Sequence, residues 1–406
     1  MLFFVNLQKM NQLLTTASEI QAMCDAIYEQ NHDKTPKLVG IDTEFIREAT
    51  FAPIIELIQV SAPESIFLID AAAFHDKPTE LVPFLNLLQD PELIKVVHAA
   101  QGDQESIWMN FHTIMTPLFD TAVAASLCGL GDTIGLASLL QQTLDIKIQK
   151  GHARTNWSLR PLSETVLEYA KNDVKFLIEV ALLLFKKLDE FGRKDLAFEL
   201  SKKWCDPKVF DFPLAETAKR LLNRRSKSAQ DLDLLMRLIA FRETLAKQLN
   251  APRKWVLDDQ TLVAICLAKP QDLAWLENLR GISRIIKPEH LEQILAIVGA
   301  PQPENLTPWN SKDPLDDSKI KLALSLFQIF LDTLCDNKQI SSRQVISKKQ
   351  MLELMTSDFA SFETFCQTPL LHPNSMELLG AEIWDFLQGR SLLGLKNKQI
   401  GIFPKP

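Results

Sequence analysis

Two carboxylates, Asp42 and Glu44, interrupt the apolar run LVGIDTEF, where a strand ordinarily carries core residues. Alternate side chains of a strand share a face, so these acids point the same way while Thr43 points opposite. A third acid, Asp103, follows the segment IKVVHAAQG, and a fourth, Asp173, closes EYAKND. Asp173 falls on a helical stripe of Val166, Ala170, position 173, Leu177, Val180 and Leu184. An unpaired carboxylate on such a stripe is costly, or it neutralises by a raised pKa. Four converging carboxylates stay charged together only if a cation joins them, and hard divalent ions with oxygen ligands suit that set. Such a chain must bring a strand end and two helices to one point.

At 406 residues the chain exceeds what one core accommodates, and two or three domains are expected. No apolar run approaches the roughly 20 residues that span a membrane. The start, MLFFVNLQKM, has neither a basic lead nor a small-residue cleavage site, so no signal peptide is assigned. Six scattered cysteines form no CxxC pair, which points to a reducing cytoplasm and away from structural zinc. A net charge of −7 is an awkward value for a nucleic-acid partner. Local basic runs are more permissive. Lys147, Lys150, His152, Arg154 and Arg160 crowd one loop upstream of Asp173. Lys202, Lys203, Lys208, Lys219, Arg220, Arg224, Arg225 and Lys227 crowd a second stretch, where solvated linker charge is the plainer reading.

KLVGID, IIELIQVSA and IFLID read as a meander of three antiparallel strands. A helix over 81–89, a strand IKVVHA and a helix over 101–109 follow. Then come TPLFDTAVAASLCG with Asp120 as N-cap, GLASLLQQTL, and one helix from N-cap Ser163 to about residue 190. Together they describe a mixed sheet flanked by helices. Beyond 207 the strand signals vanish. Short helices over 228–300 break at Asn250-Ala251-Pro252, Lys269-Pro270 and Arg280-Gly281; PQPENLTPWN is a linker; a third helical block over 316–389 breaks near Asp336-Asn337 and Leu371-His372-Pro373.

Two metals roughly 3.5–4 Å apart and sharing a carboxylate suit displacement at phosphorus. Asp42, at the end of the first strand, is the expected bridging ligand, with Glu44, Asp103 and Asp173 completing the set. Tyr169 lies four residues before Asp173 on the same helix face, where a phenol either hydrogen-bonds the attacking water or packs over the helix turn. Thr43, Phe45, His98, Trp157, Arg154 and Arg160 are the candidate substrate contacts. For His98 the competing role is a satisfied structural residue, for Phe45 core packing, and for Trp157 an anchor pinning its loop to the sheet. Gln59 faces the site or is a buried amide bonded to backbone.

The ordered set Asp42-Thr43-Glu44-Phe45, Lys95-x-x-His98 leading to Asp103, and Tyr169-x-x-x-Asp173 resembles the three exonuclease motifs of the DEDD superfamily. The likeness is closest to the ribonuclease D family, through Pro53 to Gln59, Pro117-Leu118-x-Asp120-Thr121 and Trp157-x-x-Arg160-Pro161-Leu162. Glu168 stands where the superfamily's His branch would carry histidine, so Tyr169 marks a likeness to the Tyr branch. Arg242-Glu243-x-x-Ala246, Asn250-x-Pro252, Val256-Leu257-Asp258-x-x-Leu262 and Pro270 resemble the helicase-and-ribonuclease-D C-terminal domain.

The resemblance implies a ribonuclease H-like exonuclease domain over 1–205 and two small all-α domains over 226–300 and 310–392, the last a divergent copy. It further implies a 3′→5′ exoribonuclease with two Mg²⁺ or Mn²⁺ ions, releasing nucleoside 5′-monophosphates from tRNA precursors and other small structured RNAs. The helical domains would help hold RNA. Many relatives carry Asp where Asn156 stands. A DNA exonuclease of the same superfamily and a catalytically inert RNA-binding module are the alternatives; the second would require a missing ligand, and none is missing. A cytoplasmic monomer is expected.

Overall fold

The computed structural model describes residues 13–148, 155–222, 225–226, 228–282, 285–301, 303, 318–396 and 399–405. The first segments build a five-stranded sheet in the order β3-β2-β1-β4-β5. These strands are β1 (Leu38–Ile46), β2 (Ile54–Ala62), β3 (Ser65–Asp70), β4 (Ile94–Val97) and β5 (Leu118–Asp120). β3 runs antiparallel to β2, whereas β4 lies parallel to both β1 and β5. The sheet is therefore mixed, as expected.

Strand alternation sorts its two faces. Val39, Ile41, Ile58, Val60, Ile69 and Val97 pack into the main core with α1 (Ala17–Asn31), α2 (Val82–Gln89) and α3 (Gln101–Phe111). Leu57 and Leu68 face the other way, against Trp157, Leu162 and Ala170. Burying each large apolar side chain contributes about 1.5–3 kcal/mol, so both faces hold their helices firmly.

Two expectations need correction. TPLFD contributes a strand, β5, before its helix α4 (Thr121–Leu127); Asp120 is nevertheless the N-cap, accepting from the Ala122 N–H. After α5 (Leu136–Leu144), the long helix from Ser163 is two helices, α6 (Glu164–Lys175) and α7 (Leu177–Glu190). They break at Phe176, whose φ of −112° and ψ of 7° leave the helical region. The supposed continuous stripe is thus interrupted: α6 buries Ala170 and Val174, while Asp173 and Val166 are half-buried.

After α8 (Lys194–Lys202), the second region holds α9 (Leu214–Leu222), α10 (Ala229–Gln248), α11 (Arg253–Val256), α12 (Asp259–Ala268), α13 (Leu273–Glu277) and α14 (Pro288–Gly299). Its helices break where Asn250, Lys269 and Gly281 adopt positive φ. The third block comprises α15 (Ser318–Asn337), α16 (Ser342–Val345), α17 (Lys348–Thr356), α18 (Phe362–Cys366) and α19 (Pro373–Leu387). Beyond that block, an antiparallel hairpin of β6 (Ser391–Lys396) and β7 (Gln399–Pro404) follows.

Contacts divide the chain into two compact units. One comprises Met1–Phe45, Ile55–Val209 and Ser318–Pro406; the other comprises Ile46–Ile54 and Phe210–Asp317. The third block therefore packs with the sheet. Arg193 ties it there, donating to Leu127 O at 2.8 Å, Lys338 O at 2.6 Å and Gln339 O at 3.2 Å. Among the described residues, no helix is long and apolar enough to cross a membrane.

Candidate active site

β1 delivers Asp42 and Glu44 to the sheet face that α6 covers. One oxygen each from Asp42, Glu44 and Asp173 lie within 4.8 Å of one another. Asp103 approaches from the first turn of α3, which follows the end of β4. Its Oδ1 accepts from the Thr43 N–H at 3.0 Å and from Thr43 Oγ1 at 2.6 Å. Strand alternation explains this: Thr43, pointing away from its acidic neighbours, meets Asp103. Thr43 is thus a tether for Asp103 rather than a substrate contact.

Asp103 is aimed by a second acid whose role the sequence did not disclose. Buried Asp120 accepts from the N–H groups of Ala99 and Ala100 with one oxygen each, both at 2.9 Å, and also caps α4. It fixes the β4–α3 turn, where Ala99 takes a left-handed φ of 59°.

Packed together, the acids resist ionisation. Asp42 is raised well above the ordinary carboxylate range by burial, then by Asp103, Asp173 and Glu44. Burial, with Asp173 and Asp103, pushes Glu44 up to about 8. Asp103 rises to about 7 through burial, opposed by its Thr43 bonds. Asp173 rises to about 6 through burial, opposed by a hydrogen bond from Tyr169. The Tyr169 phenol is itself raised, by burial and then by Asp173, Glu44 and Asp42. It therefore stays protonated at neutral pH and serves as a donor, not a base. Oxygen-only donors crowded this closely fit hard divalent cations, which would restore all four charges.

The remaining substrate candidates fare differently. Phe45 is half-buried and lies alongside Gly102, where an added Cβ would meet its ring at 3.7 Å. His98 engages Thr121 Oγ1 through Nδ1 at 2.9 Å and Ile134 O through Nε2 at 3.0 Å. Both ring nitrogens are committed, so the phosphate contact is replaced by a structural role. Trp157 is buried against Leu57, Leu68, Leu162 and Ala170, with its ring 6.4 Å from Tyr169. It is an anchor, not a stacking platform.

Arg160 is corrected as well. Its Nε and Nη2 grip Asp70, Nη1 donates to Trp157 O and Leu159 O, and Nη2 also donates to Glu56 O. Every guanidinium nitrogen is occupied, and the clamp pins the entrance of α6 to β2 and β3. Asp70, 90 residues away in sequence, gave no local sign of this partnership. Arg154, Lys150, His152, Arg224 and Lys227 lie outside the described residues; Lys147 is exposed.

Sequence profiles of the 3′-5′ exonuclease family and the HRDC domain match residues 11–189 and 231–298, respectively. A ribonuclease D of Bartonella henselae is 30% identical over 404 residues, covering 97% of this chain and 94% of the relative. One from Gluconacetobacter diazotrophicus is 30% identical over 395 residues, covering 97% and 96%. Among solved structures, Escherichia coli RNase D, described as an exoribonuclease involved in structured RNA processing, shares the fold at a TM-score of 0.76. It is 23% identical, with 93% of this chain and 98% of that chain covered.

Proposed function

The chain belongs to the ribonuclease D family and is a 3′→5′ exoribonuclease; from that premise we propose a two-metal-ion mechanism acting on the 3′ ends of tRNA precursors and other small structured RNAs. The observation that carries the reading is the convergence of Asp42, Glu44 and Asp173 oxygens within 4.8 Å, backed by Asp103. Asp42, Glu44, Asp103 and Asp173 would hold the ions, with Asp42 the proposed shared ligand. Mg²⁺ or Mn²⁺ bound there would activate the attacking water and stabilise the leaving oxygen.

The chain's own groups orient and exclude. Thr43 and Asp120 keep Asp103 aimed at the cluster. Tyr169 holds Asp173 by donating its one hydroxyl hydrogen, and its phenol oxygen positions the attacking water by accepting a hydrogen bond from it. Phe45 packs partly against the main core, and its exposed part is proposed to stack on the terminal base, a contact worth ~1–3 kcal/mol and tolerant of sequence. The Arg160 clamp maintains the register of α6, and so of Tyr169 and Asp173. The sheet-bearing region over 1–205 is the catalytic domain in this reading, and the helical regions over 226–300 and 310–392 contribute RNA affinity. The six free cysteines support a reducing, cytoplasmic setting. A monomer is proposed, to be checked by light scattering.

Incubation of a 3′-extended tRNA precursor, with and without chelator, tests the function. Stepwise shortening that releases 5′-monophosphates and stops on chelation is expected. Equal trimming of a matched DNA tail would reassign the substrate, since discrimination must act at the 2′-OH.

A further inference from the structure

Gln59 in β2 is fully buried, yet neither its amide nitrogen nor its amide oxygen has a hydrogen-bond partner. Buried amides are ordinarily satisfied, and an orphan amide in a core destabilises the fold. Its position on the sheet suggests a reason. A Cβ built on Gly40 would stand 2.2 Å from Ser61 Oγ, a distance only direct cross-strand neighbours reach. Residues 47–53 connect the adjacent strands β1 and β2, too short a link for a parallel crossover, so the pair is antiparallel. Moving two residues along each strand preserves both face and pairing, which sets Asp42 opposite Gln59 and Glu44 opposite Leu57. Ser61 also has an unpartnered hydroxyl, but it lies against Gly40 and Leu177, one pair further from the acids.

We propose that Gln59 is a positioning residue for Asp42: with divalent ions bound, its Nε2 donates to the Asp42 carboxylate and holds the orientation in which that carboxylate joins the ions. The inference rests on the metal-ion reading above. An amide suits the task because it donates a hydrogen bond without adding charge to a cluster already crowded with acids. Leucine in its place would spare the metal-free fold an orphan polar group and would leave Asp42 unsupported in the loaded site.

Calorimetric titration of Mn²⁺ into the full chain tests this, alongside thermal unfolding in chelator. Gln59→Leu is expected to unfold at the same or a higher temperature than wild type without metal, and to bind Mn²⁺ about 10–100-fold more weakly. Folded Gln59→Leu that binds Mn²⁺ within roughly twofold of wild type overturns the inference, because supporting groups of this kind exceed that effect. Should Gln59→Leu fail to fold, Gln59→Met decides by the same readouts. A wild-type chain without saturable Mn²⁺ binding overturns the metal reading and this inference together, whereas normal wild-type binding with an unaffected variant overturns the inference alone.

Discussion

In the helical unit, the buried guanidinium of Arg242 meets Asp259 at 2.8 Å and Glu243 at 3.4 Å, and Asp231 meets Lys269 at 2.7 Å. Around β1, by contrast, Asp42, Glu44 and Asp173 bring oxygens within 4.8 Å of one another, and Asp103 adds its charge from nearby. Opposite charges brought together close their own account and require nothing from solution. Like charges brought together work against the fold until a cation arrives. The Arg160–Asp70–Glu56 clamp shows both arrangements within one unit, since paired charge there supports the helix that carries Asp173.

Asp42→Asn provides the hardest test of that contrast. Losing a bridging ligand forfeits several kcal/mol of transition-state stabilisation, so trimming should fall about a thousandfold or more. The same variant should unfold at a higher temperature in chelator, because it relieves repulsion. A variant that trims at near-normal rates would remove Asp42 from the chemistry.

Arg160→Ala should behave in the opposite sense, losing about 3 kcal/mol of stability because Asp70 and Glu56 are left as unpaired buried acids. Chemical denaturation measures this. Unchanged stability with weakened RNA binding would return Arg160 to the substrate.

For Tyr169→Phe, turnover should drop about 10–100-fold, toward the lower end of proton-handling contributions, with KM nearly constant. Weaker binding at unchanged turnover would make Tyr169 a substrate contact instead. The smallest effect concerns pH. Folded values of about 8 for Glu44, 7 for Asp103 and 6 for Asp173 lie above the ordinary range, so the folded state holds these protons more tightly. Their stabilising contribution is present below about pH 4 and is lost as pH rises towards 8. The metal-free chain should therefore melt at a lower temperature at pH 8 than at pH 5, and Glu44→Gln should flatten that slope. Parallel slopes in the two chains would contradict the shift assigned to Glu44.

Much of the site was legible because it is local. The alternation of Asp42, Thr43 and Glu44, the i,i+4 spacing of Tyr169 and Asp173, and the caps at Asp120 and Ser163 all follow from short-range geometry. What stayed hidden is tertiary. Thr43 reaches Asp103 across 60 residues and Arg160 reaches Asp70 across 90, and no spacing rule encodes either. The break at Phe176 carries no Gly or Pro, and apolar residues continue across it at helical spacing. β5 is three residues long, too short to show a period of two. The closing hairpin did leave a trace, in the alternating QIGIFP, which the helical signals before it overshadowed.

The central claim, that the four acids form a metal site burdened with protons, is most directly tested by titrating Mn²⁺ into the full chain near pH 7 in buffers of different ionisation enthalpy. The account predicts saturable binding of two ions accompanied by net proton release, because carboxylates raised by burial and mutual repulsion must deprotonate to ligate. Absence of saturable binding at millimolar metal, or saturable binding with no proton released, would contradict it.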